Sequence, residues 1–384
     1  MKTAILGFVC LSTLVPAVAV TTDGAMWQAA DAEDAGFVTL EEIRSFYKLM
    51  PLPRQRGSAT RSVGNGALTL EFGPNPRDLK IHGLRFTLTH PVRTDEKGEL
   101  LVSKTDLVKL IDPVLRPTYI PNRRAVKTVI LDPGHGGHDA GTVTEHVREA
   151  DAVLLLAGNL ANELKKRGFQ VKLTREINRY LSEQARVDSI GDAEDAIFIS
   201  LHLNSGRSDV SGIQTYTLQP SAPGKDGRPA NEFDAMNTAL AVSLQASLLD
   251  KTKAQDGGCR RVHYSLLSSV KCPAAHVELG YATNTKEAQA LNSDEYRNLL
   301  VTALADGISV FSATMNPENQ LKALPPPPPP PPEPVKVEPP KKKAEPPAKK
   351  KSTPRRRKPA QRSKPAEHSK PAERSKPATR RNRK

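Results

Sequence analysis

The sequence predicts an α/β protein: a mostly parallel sheet flanked by helices over residues 125–316, preceded by a small α+β domain at 24–124 and followed by a disordered Pro/Lys/Arg-rich tail at 317–384. Three observations support this division. Apolar strand-like runs alternate with amphipathic helix-like runs over 125–316, which is typical of a parallel sheet covered by helices. Short runs of alternating polarity dominate the region before it. The last segment is dominated by proline, lysine and arginine and has too few large apolar side chains to form a core.

Residues 1–19 have the three parts of a secretory signal peptide. Lys2 gives a positive start, residues 4–15 are mostly apolar, and Ala17-Val18-Ala19 is a small-residue cleavage site. The apolar part is too short for a permanent membrane span, and no other stretch approaches the ~20 apolar residues of a transmembrane helix. We therefore expect an exported chain without a transmembrane span, located in the periplasm, the cell envelope or the extracellular space.

The region at 24–124 alternates short strands with two short helices. Thr39 and Glu42 form a capping-box pattern at the start of the first helix. Further strands are predicted at 67–72, 79–88 and 98–103, and a second helix at 104–111, which ends before Pro113. This order loosely resembles the N-terminal-like domain of copper amine oxidases. Wall binding and a passive spacer role are equally compatible with it.

The run Val129-Ile130-Leu131 ends in a glycine-rich turn that carries His135. Such a run predicts a buried parallel strand, and the proline and glycines that follow exclude a helical continuation. In open α/β sheets, ligands bind beyond the carboxyl ends of the strands. His135 is therefore a candidate ligand-binding residue, although a hydrogen bond within its own turn is an alternative role.

A second apolar run, at 196–203, carries His202 near its end and is followed by Asn204 and Ser205. Glu149 follows His135 by 14 positions, at the start of a helix predicted over 150–167. Two imidazoles and one carboxylate are typical zinc ligands. Glu149 can alternatively serve only to stabilise the helix dipole.

The remaining elements of this region are predicted as strands at 169–174, 212–218 and 274–279, and helices at 182–192, 237–249 and 285–311.

Five motifs in a fixed order then carry a family resemblance: LDPGHGGHDAG, READ at a helix start, LTRE, FISLHLNS and HVELGYATN. Over roughly residues 126–312 the chain resembles the zinc-dependent N-acetylmuramoyl-L-alanine amidases. Five ordered motifs are far more specific than any one of them. Two positions depart from the family pattern: His138 stands where lysine is common, and His276 stands where an apolar residue is usual.

The resemblance implies specific roles. His135, Glu149 and His202 would bind Zn²⁺, and Glu278 would be the catalytic carboxylate. The reaction would be hydrolysis of the amide bond between N-acetylmuramic acid and the L-alanine of the stem peptide, for cell-wall remodelling or daughter-cell separation, with peptidoglycan as the substrate. A zinc carboxypeptidase acting within the stem peptide, and a non-catalytic wall-binding envelope tether, are the alternatives.

Four further residues have two interpretations each. Asn204 either orients substrate or caps its loop, and Arg260 either contacts a stem-peptide carboxylate or is an ordinary surface arginine. Removal of the signal peptide leaves Cys259 and Cys272, an even number that favours a disulfide in an exported protein. Two reduced, buried thiols are the alternative.

The basicity of the chain is concentrated in the tail. Residues 333–384 contain twenty Lys or Arg against five Glu, a net charge of +15, whereas the whole chain carries +14. A polyproline run at 325–332 precedes this segment. We expect the tail to bind anionic envelope polymers in a salt-sensitive manner. Binding to nucleic acid is disfavoured because the tail has no aromatic residues for base stacking; a spacer without a partner is the alternative.

The connection at 219–230 bears on regulation. It contains three prolines and two glycines, too many for a long helix that could cover a zinc site. The sequence therefore predicts an open site that is active without an activator protein.

Overall fold

The computed structural model describes residues 36–53, 57–66, 68–191, 194–220 and 233–318. These residues belong to one compact unit. The predicted signal peptide at 1–19, the tail beyond residue 318 and the connection from residue 221 lie outside the described residues.

The N-terminal region contains eight strands and three short helices among its described residues. They are β1 (Phe37–Thr39), α1 (Leu40–Tyr47), β2 (Met50–Pro51), β3 (Arg61–Gly64), β4 (Thr69–Phe72), β5 (Asp78–Ile81), β6 (Leu84–Thr87), β7 (Arg93–Thr94), β8 (Leu100–Ser103), α2 (Lys104–Asp106) and α3 (Asp112–Leu115). A π-helical segment, Leu107–Ile111, joins α2 to α3, and a 3-10 turn, Pro117–Tyr119, follows α3. The predicted capping box of α1 is confirmed, because Thr39 and Glu42 each accept a hydrogen bond from the backbone of the other.

Two predictions for this region are wrong in detail. The run at 79–88 is a hairpin, β5 and β6, because His82 and Gly83 both have positive φ angles, 52° and 81°, and form its two-residue turn. The helix predicted to end before Pro113 continues to Leu115. Pro113 lies in the first turn of α3, where its missing N–H breaks no hydrogen bond within the helix.

The second region alternates strands and helices. Its elements are β9 (Thr128–Pro133), α4 (Glu149–Lys166), β10 (Gln170–Leu173), α5 (Glu183–Asp188), β11 (Ala196–Asn204), β12 (Ile213–Leu218), α6 (Asp234–Thr252), β13 (Asp256–Val262), α7 (Ser265–Ser269), β14 (Ala274–Tyr281), α8 (Thr285–Leu291) and α9 (Asp294–Met315). Strand β13 and helix α7 have no counterpart among the sequence-based predictions.

Eleven of the described strands form one sheet, in the order β10-β9-β11-β14-β12-β13-β6-β5-β4-β3-β2. The first four are parallel, β12 is antiparallel to β14, and β13 is parallel to β12. The predicted mostly parallel sheet with flanking helices is thus confirmed. The sheet then continues into the N-terminal region, because Cys259 of β13 pairs with Phe86 of β6.

The two faces of the second region's sheet are covered differently. Helices α4, α6 and α9 pack on one face and bury the main apolar core, to which Val129, Leu201 and Leu279 contribute. On the opposite face, α5 and α7 lie over a smaller cluster that includes Phe198 and Ala274. That cluster covers only part of the face. The rest of it carries polar side chains near the carboxyl ends of β9, β11 and β14.

Helix α9 is the one described helix that could cross a membrane by length and composition. Half of its most apolar window is buried within the protein. Leu304, Ile308 and Phe311 belong to the main core. The apolar character of α9 is therefore accounted for by packing against α4 and α6.

Candidate active site

The turn after β9 lies beside the end of β11, where Gly134 N–H donates to the Leu201 carbonyl at 3.0 Å. His135 follows in this turn with a φ angle of 59°, an uncommon conformation for a residue other than glycine. Its Nδ1 lies 2.9 Å from Asp139 Oδ2, and its Nε2 lies 3.1 Å from Glu149 Oε1. The turn therefore presents one imidazole nitrogen to Glu149 while the other is held by Asp139.

Glu149 is the first residue of α4 and is almost fully buried. Its Oε1 accepts a hydrogen bond from Leu203 N–H at 3.0 Å, and its Oε2 accepts one from Thr142 N–H at 2.8 Å. His202 Nδ1 lies 3.1 Å from the same Oε1. Two backbone donors thus fix the carboxylate between the two imidazoles.

The ligand atoms of His135, Glu149 and His202 all lie within 4.8 Å of one another. Among the described residues this is the one group of His, Cys, Asp and Glu side chains close enough to bind a metal ion. Two imidazole nitrogens and a carboxylate oxygen are a donor set that suits zinc. The hydrogen bond that His135 Nδ1 donates to Asp139 Oδ2 is the type of outer contact that orients metal-binding histidines.

Glycines keep this cluster compact. A Cβ atom at Gly134 would lie 2.1 Å from Cε1 of His202, and one at Gly141 would lie 2.6 Å from Glu149 Oε2. Both separations are far below a van der Waals contact. Only glycine at these two positions lets the turn approach the three side chains so closely.

The charges in the cluster are strongly coupled. The hydrogen bond with Glu149 is the main cause that raises the pKa of His135, to about 9. Burial opposes ionisation of Glu149, but its hydrogen bonds with His135 and His202 hold the pKa of that carboxyl far below its ordinary value. The buried carboxylate therefore favours a positive charge on the adjacent imidazole.

Glu278 lies beside the cluster on β14. Its backbone is in register with His202 of β11. Its Oε1 lies 2.8 Å from Nε2 of His276, and its Oε2 is buried and has no hydrogen-bond partner among the described residues. His276 in turn stacks on His202, with ring centroids 4.5 Å apart. One carboxylate oxygen is thus fixed by an imidazole, while the other remains available for a ligand.

His276 has an environment that favours its neutral form. It is buried, and this burial is the main cause that lowers its pKa, against the opposing effect of Glu278. A neutral imidazole that faces a carboxylate with Nε2 donates its one N–H there. The sequence singled out His276 only as a departure from the family pattern, and the structure places it against Glu278.

A buried network of charged side chains supports the His135 turn, and sequence reasoning missed it. Arg175 donates to the carbonyls of Pro133 and Gly134 at 2.9 and 2.7 Å. Arg186 donates to Asp132 Oδ1 at 2.6 Å and to the His135 carbonyl at 2.8 Å. These bonds satisfy backbone carbonyls that the tight turn cannot pair within itself.

The other predicted site residues have different positions. Asn204 accepts a hydrogen bond from Ser205 N–H and donates to Gln214 Oε1 at 3.1 Å, so it caps its loop and also adjoins the polar side chains of β12. Arg260 lies on β13 with its side chain exposed, two strands away from Glu278. His138 packs against Tyr180, outside the metal-binding group.

The predicted disulfide is wrong. Cys259 and Cys272 are both free and buried. Cys259 points into the core of the N-terminal region and accepts a hydrogen bond from Thr215 Oγ1, whereas Cys272 belongs to the cluster under α5 and α7. Two thiols in separate clusters cannot be bridged without moving the strands that hold them. The alternative of two small buried thiols is the one that the structure contains.

Comparison with known proteins identifies relatives of this chain. The profile of the N-acetylmuramoyl-L-alanine amidase family matches residues 129–310. The probable cell wall amidase LytH of Staphylococcus aureus is 30% identical over 222 residues, which are 57% of this chain and 68% of that protein. The uncharacterized protein YqiI of Bacillus subtilis is 29% identical over 185 residues, which are 48% of this chain and 84% of that protein. Among solved structures, the catalytic domain of CwlV, an N-acetylmuramoyl-L-alanine amidase from Bacillus (Paenibacillus) polymyxa, is 28% identical and aligns with a TM-score of 0.43 over 48% of this chain and 98% of that domain.

Proposed function

The chain belongs to the N-acetylmuramoyl-L-alanine amidase family, and from this premise we propose that it is a zinc-dependent hydrolase of the amide bond between N-acetylmuramic acid and L-alanine in peptidoglycan. His135, Glu149 and His202 would hold the zinc ion. The observation that carries the proposal is the convergence of their three ligand atoms within 4.8 Å. Glu278, with a carboxylate oxygen that has no partner among the described residues, lies directly beside them.

Zinc, when bound, supplies a Lewis acid that polarises the scissile carbonyl and makes a water molecule acidic enough to lose a proton near neutral pH. The remaining chemistry falls to Glu278. Its Oε2 takes a proton from the attacking water and delivers it to the leaving nitrogen of L-alanine. His276 holds Oε1, so that Oε2 is the oxygen that moves protons. Asp139 fixes the ring of His135.

Mass spectrometry of purified peptidoglycan after incubation with the full mature chain tests this function. We expect free stem peptides that begin at L-alanine, and we expect a chelator to abolish their release. Release of single amino acids from the end of the stem peptide would instead identify a carboxypeptidase. Binding to peptidoglycan without any released product would identify a non-catalytic tether.

We further propose that the enzyme is exported through its signal peptide at 1–19 and works in the envelope or outside the cell, in wall remodelling or daughter-cell separation. Residues 24–124 would form a small domain that precedes the catalytic domain at 125–316. The proline-rich connection at 219–230 supports activity of the mature chain without an activator. Activity that appears only after addition of an envelope extract would contradict this last point.

The basic tail would attach the enzyme to anionic envelope polymers. Its net charge of +15 over residues 333–384 supports this role. Deletion of those residues should reduce retention on isolated envelopes at low salt much more than at high salt, because screening weakens the attraction between exposed charges. Hydrolysis of soluble fragments should not change. Equal retention of both proteins at low salt would leave the tail as a spacer.

A further inference from the structure

A groove of about 370 Å³ lies where β13 meets the N-terminal strands. Three basic side chains line it, Lys80 of β5, Arg85 of β6 and Arg260 of β13. We call this surface the basic groove. All three side chains are exposed, and among the described residues none of them forms an ion pair. The groove thus presents positive charge on both sides of the junction between the two regions.

The basic groove lies on the same face of the sheet as Glu278. Cys259 and Arg261 point into the covered side of β13, so Arg260 between them points to the open side. Arg260 is in register with Tyr216 of β12. Tyr216 is in turn in register with His276 on β14. Side chains that lie directly opposite one another on adjacent strands share a face, so this row leads from His276, the hydrogen-bond partner of Glu278, into the groove.

Arg85 and Lys80 lie in the neighbouring row of the same face, because Cys259 pairs with Phe86 and Arg85 therefore lies beside Gly258 rather than Arg260. Phe86 packs into the N-terminal core, and its neighbour Arg85 therefore faces the open side. Lys80 is directly opposite Arg85 in the β5–β6 hairpin. Glu71 of β4 is directly opposite Lys80 on its other side, so one carboxylate lies next to the two cations. Together with Arg260, Lys80 and Arg85 outnumber the carboxylates of the groove, and an anionic ligand would offset this excess of positive charge.

Two glycines make room for this arrangement. Gly258 has a φ angle of 93°, and a Cβ there would lie 3.2 Å from the Arg85 carbonyl oxygen. A Cβ at Gly257 would lie 2.3 Å from Cγ of Gln214. The start of β13 can therefore pass close to both β12 and β6. The two glycines add no side chain to the groove.

The dimensions fit a short peptide. Adjacent strands are about 4.8 Å apart, so the backbones of Arg260, Arg85 and Lys80 are roughly 10, 14 and 19 Å from β14, and Lys80 can reach a peptide near Arg85 only through its long side chain. An extended peptide of four residues spans roughly 13 Å. Glu71 and Asp78 also line the groove. A mixed set of cations and carboxylates suits a peptide that carries both carboxylates and an amine, and it disfavours a uniform polyanion.

We propose that the basic groove binds the stem peptide of the substrate, with Arg260, Arg85 and Lys80 contacting its carboxylates. The stem peptide then runs from the scissile amide at Glu278 across β12 and β13 onto the N-terminal sheet. This inference rests on the proposed function for the identity of the ligand. It gives the N-terminal region a direct part in substrate recognition.

Binding of the free tetrapeptide stem to the full mature chain, measured by calorimetry, tests the proposal without turnover. The double variant Lys80→Gln/Arg85→Gln should raise the Kd about tenfold, since it removes charge-assisted hydrogen bonds. The matched control, Lys97→Gln/Lys286→Gln, removes two exposed charges outside the groove and should leave the Kd within twofold. Arg85→Lys keeps the charge and should retain most of the affinity. A stem peptide with amidated carboxylates should bind the wild type and the double variant equally weakly.

Kinetic measurements distinguish an error in the groove proposal from an error in the proposed function. On muramoyl fragments with a full stem, the double variant should raise KM about tenfold with kcat within twofold of the wild type. On a fragment whose stem ends at L-alanine it should behave like the wild type. If the wild type cleaves both fragments and the double variant matches its control in Kd and KM, the groove proposal is overturned. If the wild type cleaves neither fragment, the proposed function fails, while calorimetry still decides whether the groove binds the peptide.

Discussion

The two faces of the sheet in the second region differ in the side chains that they present. On the face under α4, α6 and α9, the strands present a continuous apolar surface. On the other face, the same strands begin with apolar residues and end with Asp132, His202, His276 and Glu278. Because side chains alternate along a strand, neighbours in the sequence belong to opposite faces. One face thus holds the fold together, and the other carries the proposed active site.

Glu278 and its neighbour Leu279 give the sharpest test of this difference. Glu278→Gln should lower kcat by about a thousandfold, in the range of a lost general base. Bound zinc and the melting temperature should be unchanged, because the side chain neither binds the metal nor packs in the core. His202→Ala, by comparison, should lose bound zinc, as metal analysis of the purified proteins will show. Glu278→Gln with normal turnover would place the base elsewhere, and stoichiometric zinc in His202→Ala would contradict the ligand assignment.

Leu279→Ala should have the opposite profile. Leu279 is fully buried in the main core, so its truncation should cost about 2–5 kcal/mol of unfolding free energy. Denaturant titration measures this loss. In the fraction that remains folded, kcat and zinc content should be close to those of the wild type. A large loss of kcat without a loss of stability would show that the two faces are not independent.

The sequence predicted the apolar face well and the polar face only in part. Apolar runs located β9, β11 and β14, and strand-end positions singled out His135 and His202. Strand β13 was missed because Asp256–Val262 has two glycines and two arginines and no alternation, and its place is set by pairing with β12 and β6. Tertiary pairing can override local propensity in this way.

The buried charges were missed for a different reason. Arg175 lies in the LTRE motif and Arg186 in a predicted helix, but nothing in the local sequence shows that the chain will bury either side chain. Their partners are carbonyls of the turn at 133–135, more than 40 positions away. Only the folded chain brings these groups together. The join between β6 and β13 is a similar case, because it connects residues about 170 positions apart.

Substitution of His276, also on the polar face, should reduce kcat less than substitution of Glu278. His276→Leu should lower kcat about tenfold with little change in KM, because the variant loses the donor that fixes Oε1 of Glu278. His276→Gln retains an N–H donor and should recover much of the loss. Bound zinc should be the same in both. Equal activity of the Leu and Gln variants would show that His276 only fills space.

The last prediction concerns the two cysteines and involves the smallest effect. Cys259 and Cys272 pack on opposite sides of the sheet and have no proposed catalytic role. Burial raises the pKa of the Cys259 and Cys272 thiols to about 12 each. At pH 8 fewer than about one thiol in a thousand is therefore ionised, and the thiolate is the form that reacts with alkylating reagents. Folded protein prepared without residues 1–19, and therefore without Cys10, should take up almost no iodoacetamide at this pH. In guanidinium chloride without a reductant, both residues should be alkylated, and the mass should increase by two labels. A protein that takes up no label until a reductant is added would contain the disulfide after all, and β13 would then have to lie closer to the segment before β14 than the structure places it.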